Sequence, residues 1–195
     1  SRGLGDVYKR QALNDAGVAV IAASGNSADL GLAPVAFPAC LPGVISVGAT
    51  ERASFSGLAS GTTPELADFS QYAGVLDMVA PGFDITAPVT GTGFASLDGT
   101  SMAAPHVAGA FALLADTQNG WTPARFEELL RTTGVMVERY TAAAGDRHDR
   151  YPEIRLADAV AFEPFADASS GYWVAAADWA KYTGVSGGIG DNLYG

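Results

Sequence analysis

The chain has 195 residues, of which 48% are hydrophobic and only 16% are charged, and its formal net charge is −10. This balance favours a packed core over disorder, and the length allows one domain or one domain with a small appendage. A surface this acidic repels phosphate backbones, which argues against a nucleic-acid partner. No apolar run reaches the ~18 residues that a membrane span requires.

The first eleven residues differ from the rest of the chain. They hold three of its eleven basic residues without amphipathic spacing, and the string GLGDVYKRQ resembles translated adaptor sequence. We therefore expect residues 1–11 to be non-native and exclude them from fold reasoning.

Three short apolar runs predict buried strands. Residues 12–17 are typical of a helix end, and runs rich in apolar residues follow at 18–23, 44–48 and 76–80. The Ser-, Gly- and Thr-rich stretch 51–67 is expected to be a surface loop. Buried runs of this kind after helices and long loops predict an α/β fold with a largely parallel sheet flanked by helices.

The second half of the chain predicts one hairpin and three helices. Residues 85–87 and 94–97 are expected to pair across a Gly-rich turn. Residues 101–116 are apolar on nearly every side, which is typical of a central, buried helix. Thr122 and Pro123 are typical of a helix cap and first position, and residues 156–162 predict a short last helix.

The chain contains one cysteine, Cys40. The favoured interpretation is a small buried apolar residue. The alternative is half of a disulfide whose partner lies outside these 195 residues.

The sequence Gly99-Thr-Ser-Met-Ala-Ala-Pro-His-Val-Ala-Gly109 places Ser101 at the start of the apolar helix. Helix N-termini carry unpaired N–H groups and the positive end of the helix dipole, so they stabilise negative charge. A serine nucleophile needs such an environment when the attacked carbonyl becomes an oxyanion. On this ground alone, a catalytic Ser101 and a merely capping Ser101 are equally acceptable.

The string GTSMAAPHVAG resembles the serine motif of the subtilisin-like serine proteases almost letter for letter. The resemblance extends over most of residues 12–162, through segments 17–26, 37–49 and 67–82. It implies that residues 12–163 are the C-terminal part of a subtilisin-like catalytic domain that lacks its N-terminal portion.

The resemblance also implies catalytic roles. Ser101 would be the nucleophile, and Asn26 would donate its side-chain N–H to the oxyanion together with the backbone N–H of Ser101. Without the serine motif, Asn26 would be interpreted as a turn residue after Gly25.

Five further positions are expected to contact the substrate. The resemblance places Ala23, Ser24 and Gly25 in one wall of the pocket beside the scissile bond and Ala36 near its floor. Gly99 permits a tight turn and close approach of the substrate.

A serine nucleophile also needs a base, and the chain has two histidines. His106 lies about 140° around the helix from Ser101, so it is expected to be a packing residue. His148 lies in a charged stretch and is expected to be a surface residue. The family's Asp-His-Ser order places the catalytic Asp and His before residue 12, so this fragment is expected to be inactive alone.

No cofactor or metal is assigned. Carbonyl groups near Ala39, Leu41 and Val44 correspond to positions where some relatives bind a cation, but no side chain there supports a site. Calcium is therefore left as an unassigned possibility.

Residues 164–195 are dense in aromatic residues and glycine and resemble the start of an S-layer homology repeat. Such repeats bind cell-wall polysaccharide. The alternative is a C-terminal extension that packs on the protease domain, and a short helix is expected near 172–182.

The sequence thus predicts a serine endopeptidase that acts on proteins or peptides through an acyl-enzyme and is secreted or associated with the bacterial cell surface. The alternative is a non-catalytic cell-wall-binding protein with a degenerate protease scaffold.

Overall fold

The computed structural model describes residues 2–51, 64–117, 122–139 and 149–161. The chain divides into two compact units, 1–156 and 157–195, and little of the second is described. The helices are α1 (Arg2–Asp15), α2 (Thr100–Thr117), α3 (Pro123–Thr133) and α4 (Leu156–Ala161). The strands are β1 (Ile21–Ala23), β2 (Ile45–Glu51), β3 (Glu65–Leu66), β4 (Met78–Pro81), β5 (Ile85–Val89), β6 (Gly93–Leu97), β7 (Val135–Arg139) and β8 (Asp149–Glu153).

The main sheet is largely parallel, as predicted. Its order is β1-β2-β4-β8-β7, and neighbours pair in parallel except β7, which is antiparallel to β8. The short strand β3 pairs antiparallel with the end of β2. Strands β5 and β6 form the predicted hairpin as a separate two-stranded sheet.

The core lies between the centre of this sheet and its helices. Strands β2 and β4 are buried almost throughout, because each has a strand on both sides. Helix α2 packs against β1, β2 and β4, and it buries Ala103, Val107 and Leu114 completely. None of the helices that the structure describes is long and apolar enough to cross a membrane.

Two expectations of complete burial were wrong. Strand β1 is only half-buried, because it is the first strand in the sheet order and has a partner on one side only. Helix α2 buries one face, and on its other face Leu113 is 51% exposed. Both segments therefore carry apolar side chains that the rest of the described residues leave partly exposed.

Other expectations need correction. Strands β7 and β8 were not predicted, and β8 carries Pro152 inside a strand. The stretch 51–67 is not entirely loop, because its two ends pair as β2 and β3. Cys40 is exposed rather than buried. The idea of a disulfide partner elsewhere stays a prediction.

The local signals for helix ends were reliable. Helix α1 ends at Asp15, and Gly17 adopts φ +78 just beyond it. Helix α3 begins at Pro123, and the Thr122 hydroxyl accepts the N–H of Arg125 at 3.3 Å. The short last helix is α4, although the chain beyond residue 161 lies outside the described ranges.

Charged residues connect α3 to the amino end of β4. The carboxylate of Asp77 accepts the Ser46 N–H at 2.8 Å and lies 3.9 Å from Arg131. Arg131 lies 3.6 Å from Glu127 on the same helix. Burial, followed by the nearby charge of Asp77, raises the pKa of Glu127, while Arg131 partly offsets this increase.

A buried hydrogen bond joins β2 to β8 and gives a test of the sheet. Thr50 Oγ1 donates to Glu153 Oε1 at 2.6 Å, and the two residues are 3% and 7% exposed. We expect Thr50→Val to lower the free energy of unfolding by about 1–3 kcal/mol, because a buried carboxylate loses a donor. Denaturant unfolding measures this, with Thr86→Val on the exposed face of β5 as control. Equal losses in both variants would contradict the interpretation.

The raised pKa of Glu127 predicts a pH dependence. A carboxyl group whose pKa is higher in the folded state than in the unfolded state destabilises the folded state once it ionises. The loss in free energy of unfolding therefore grows as pH rises above the pKa of that group in the unfolded chain. Glu127→Gln should therefore raise the temperature midpoint of unfolding at pH 7, and this increase should shrink as pH falls towards 4.5, the ordinary pKa of a glutamate side chain. Thermal unfolding across this range tests it, and a gain that persists unchanged at low pH would contradict it.

Candidate active site

Two loop segments, the one after β1 and the one before α2, lie at the carboxyl edge of the parallel sheet. Strand β1 ends at Ala23, so residues 24–26 leave the sheet at its carboxyl end. The segment before α2 is fixed nearby, because the Gly99 N–H donates to the Gly82 carbonyl at 2.7 Å, directly after β4. Open α/β sheets carry their binding sites at this edge.

The Asn26 side chain contacts the first residue of α2. Its Oδ1 accepts the backbone N–H of Thr100 at 2.9 Å and the Thr100 hydroxyl at 2.7 Å. Because the amide oxygen is held by two donors, Nδ2 must face the other way. A Cβ placed on Gly99 would lie 3.0 Å from Asn26 Nδ2 and 3.7 Å from the Ser101 backbone nitrogen. The two N–H groups named as oxyanion donors are therefore close neighbours across Gly99.

Sequence reasoning did not find Thr100. It is 1% exposed, and besides its bonds to Asn26 its hydroxyl accepts the Gly25 N–H at 3.1 Å. The motif places Thr100 beside Ser101, but no local signal indicates that its hydroxyl would reach Asn26, 74 positions away in the chain.

Ser101 is the second residue of α2 and is exposed. This position combines an exposed serine with the N-terminal end of a helix. The electrostatic environment suits an oxygen that gains negative charge beside Ser101.

The expected pocket residues lie together. The Ser24 carbonyl accepts the Ala36 N–H at 2.8 Å, and a Cβ on Gly25 would lie 3.0 Å from the Ala36 Cβ. Gly25 has φ +110, which side-chain-bearing residues rarely adopt. Ser24 is completely buried, so its side chain cannot line an open wall, whereas Ala23, Gly25 and Ala36 are half-buried.

The structure gives His106 a partner other than Ser101. Its Nδ1–H can donate to the Met102 carbonyl one turn earlier in the same helix, at 2.8 Å, and the ring is exposed. His148 lies outside the described residues.

Carboxyl groups cluster at the carboxyl end of β2. Burial raises the pKa of Glu51, and the negative charges of Asp68, Glu65 and Asp98 raise it further. Asp98 also lies three positions before Ser101 in the sequence.

The carbonyl segment considered for a cation lines a cavity of about 530 Å³ that also contains Asp77 and Glu127. Asp77 is already bonded to Ser46 and close to Arg131. Over the described ranges, no three His, Cys, Asp or Glu side chains converge to hold a metal ion. No metal is assigned, and calcium stays a possibility suggested by the sequence alone.

Comparison with known proteins gives the family. The model of the subtilase family, peptidase S8, matches residues 3–159, which includes most of the segment expected to be non-native. A solved structure, the prenylagaramide maturation protease PagA, is similar with a TM-score of 0.58 and 28% identity, covering 77% of this chain and 52% of that one.

Two curated relatives are more similar in sequence. Alkaline elastase YaB of Bacillus sp. (strain YaB) is 41% identical over 134 residues, which are 67% of this chain and 32% of the elastase. Subtilisin BL of Lederbergia lenta is 40% identical over 128 residues, which are 64% of this chain and 43% of the subtilisin. The chain thus spans less than half the length of these relatives. On the family match and these identities, the chain belongs to the subtilase family of serine peptidases.

Proposed function

We propose that this chain carries the nucleophile and the oxyanion hole of a serine endopeptidase that hydrolyses peptide bonds through an acyl-enzyme on Ser101. The observation that carries the proposal is the contact of Asn26 with the N-terminus of α2. Its support is that the Asn26 Nδ2 and the Ser101 backbone nitrogen both lie within 4 Å of the position of a Cβ on Gly99, although the two residues are far apart in sequence.

The chemistry follows from this arrangement. Ser101 Oγ attacks the substrate carbonyl carbon, and the carbonyl oxygen becomes an anion that accepts hydrogen bonds from Asn26 Nδ2 and the Ser101 N–H. A base takes the hydroxyl proton and returns it to the departing amine, which leaves an ester on Ser101. Water then hydrolyses this ester and restores the hydroxyl.

The base is expected to come from polypeptide outside these 195 residues. His106 lies about 140° around α2 from Ser101, and the family order places the catalytic Asp and His earlier in the chain. The half-buried Ala23, Gly25 and Ala36 would line the substrate pocket, with Gly99 allowing close approach. Their small size suits a large apolar side chain beside the scissile bond.

A second candidate function remains a cell-wall-binding protein with a degenerate protease scaffold. It is favoured only by the composition of residues 164–195, which lie outside the described ranges. In that case the partner would be a cell-wall polysaccharide. Both candidates imply a secreted or cell-surface location.

The coding sequence upstream of this chain distinguishes the two functions. Segments with an Asp and a His in family order favour the peptidase, whereas their loss favours the binding protein. In the longer protein, Ser101→Ala should abolish hydrolysis of a chromogenic peptide. Asn26→Leu should lower kcat by about 10²–10³, a range already known for this type of asparagine in subtilisin itself.

The 195-residue chain alone should not hydrolyse peptides at a useful rate, because without a base the Ser101 hydroxyl is a poor nucleophile. The measurement is release of a chromophore by the purified chain beside a Ser101→Ala control. Hydrolysis that requires Ser101 would show that a base is present within the chain and would overturn this expectation.

Thr100 gives a further test in the hydrolytically active protein. Thr100→Val removes the hydroxyl that holds Asn26 Oδ1, so kcat should fall about ten- to a hundredfold while KM changes little. Thr100→Ser keeps the hydroxyl and should retain most of the rate. Equal kcat values for the valine and serine variants would exclude a role of this hydroxyl in orienting Asn26.

A further inference from the structure

Gln71 contacts the site from the side opposite α2. Its backbone N–H donates to the Gly25 carbonyl at 2.9 Å, and its side-chain amide Nε2 donates to the Pro34 carbonyl. The residue is only 7% exposed, so these bonds form away from competing water. Gln71 thus connects both ends of the loop that runs from Gly25 to Ala36.

The side chain of Gln71 also fills the space against Gly25. A Cβ built on Gly25 would overlap Gln71 Oε1, so the carboxamide packs directly against the glycine. On the other side, the Gly25 N–H donates to the Thr100 hydroxyl. The peptide that precedes Asn26 is therefore held between α2 and the Gln71 side chain.

Asn26 itself has no such enclosure. It is exposed, and the contacts that the structure gives its side chain run to Thr100. Its direction consequently depends on the backbone at Gly25, whose φ of +110 is not a conformation that most residues maintain. A group that restrains Gly25 restrains the Asn26 amide as well.

We propose that Gln71 is a positioning residue for the oxyanion hole: its buried carboxamide holds Gly25 so that Asn26 keeps its amide oxygen on Thr100 and its N–H towards Ser101. The proposal rests on the proposed function for its catalytic meaning. The structural coupling from Gln71 to Asn26 can be measured without any hydrolysis.

The Thr100 amide hydrogen is the reporter. It belongs to the first residue of α2, where no helical acceptor exists, and it is bonded to Asn26 Oδ1. Its hydrogen-exchange protection therefore measures whether Asn26 is in place. The measurement is amide hydrogen exchange by NMR on the ¹⁵N-labelled 195-residue chain.

We expect Gln71→Ala to lower the protection of the Thr100 amide about tenfold. Ser70→Ala is the matched control, because Ser70 is the adjacent buried residue and its hydroxyl accepts the Ala49 N–H at 3.0 Å. In this control, protection should fall at Ala49 and remain at Thr100, and Gln71→Ala should show the reverse pattern.

Gln71→Met replaces the alanine variant if that variant does not fold. Methionine fills the same space but cannot donate a hydrogen bond to the Pro34 carbonyl. This variant should also lower the exchange protection of the Thr100 amide. Unchanged Thr100 protection in the folded Gln71 variants would overturn the proposal, as would an equal loss in Ser70→Ala. In a hydrolytically active longer protein, Gln71→Ala should lower kcat at nearly constant KM. If Ser101 proves not to be a nucleophile, the exchange result still decides the coupling.

Discussion

The hydrogen bonds between Asn26 and Thr100 are the constraint on which the site depends. They join the loop after β1 to the first turn of α2 across 74 positions of sequence. The bonds are possible because β1, β2 and β4 run in parallel and end at the same edge, while the Gly99 N–H is fixed to the carbonyl after β4. A Cβ on Gly99 would lie against the Asn26 amide, so glycine is needed where the two segments meet.

Much of this arrangement could be predicted from the sequence, since the relevant signals are local. Thr122 and Pro123 fixed the start of α3, and the Gly-rich turn after Val89 indicated the β5–β6 hairpin. The serine motif placed Ser101 at the start of α2, and its resemblance to subtilisins identified Asn26. The structure puts both residues at the carboxyl edge of the sheet.

The features that escaped prediction depend on contacts between distant segments. Strand β8 reads Asp-Arg-Tyr-Pro-Glu, which is a poor strand by composition, and it forms because β4 and β7 pair with it on either side. The Thr100 hydroxyl gave no local signal because its partner is remote. Cys40 has an apolar preference but lies exposed in the turn after Pro38. Whether a residue such as Cys40 is buried depends on neighbours that are distant in sequence, so the folded structure is needed to determine it.

Under the proposed function, Asn26 and Ser101 supply the groups that stabilise charge, whereas the base that moves a proton is a separate part of the site. An oxyanion hole acts through fixed dipoles, so the Asn26 amide and the Ser101 N–H need only rigid backbone support, which Thr100 and Gln71 are placed to provide. Deprotonating Ser101 needs an imidazole within about 3 Å of its hydroxyl, and His106 lies about 140° around α2 from Ser101. The geometry therefore separates two tasks. In the proposed mechanism, Asn26 and the start of α2 polarise a bound carbonyl, and attack on that carbonyl also requires a base beside the exposed Ser101.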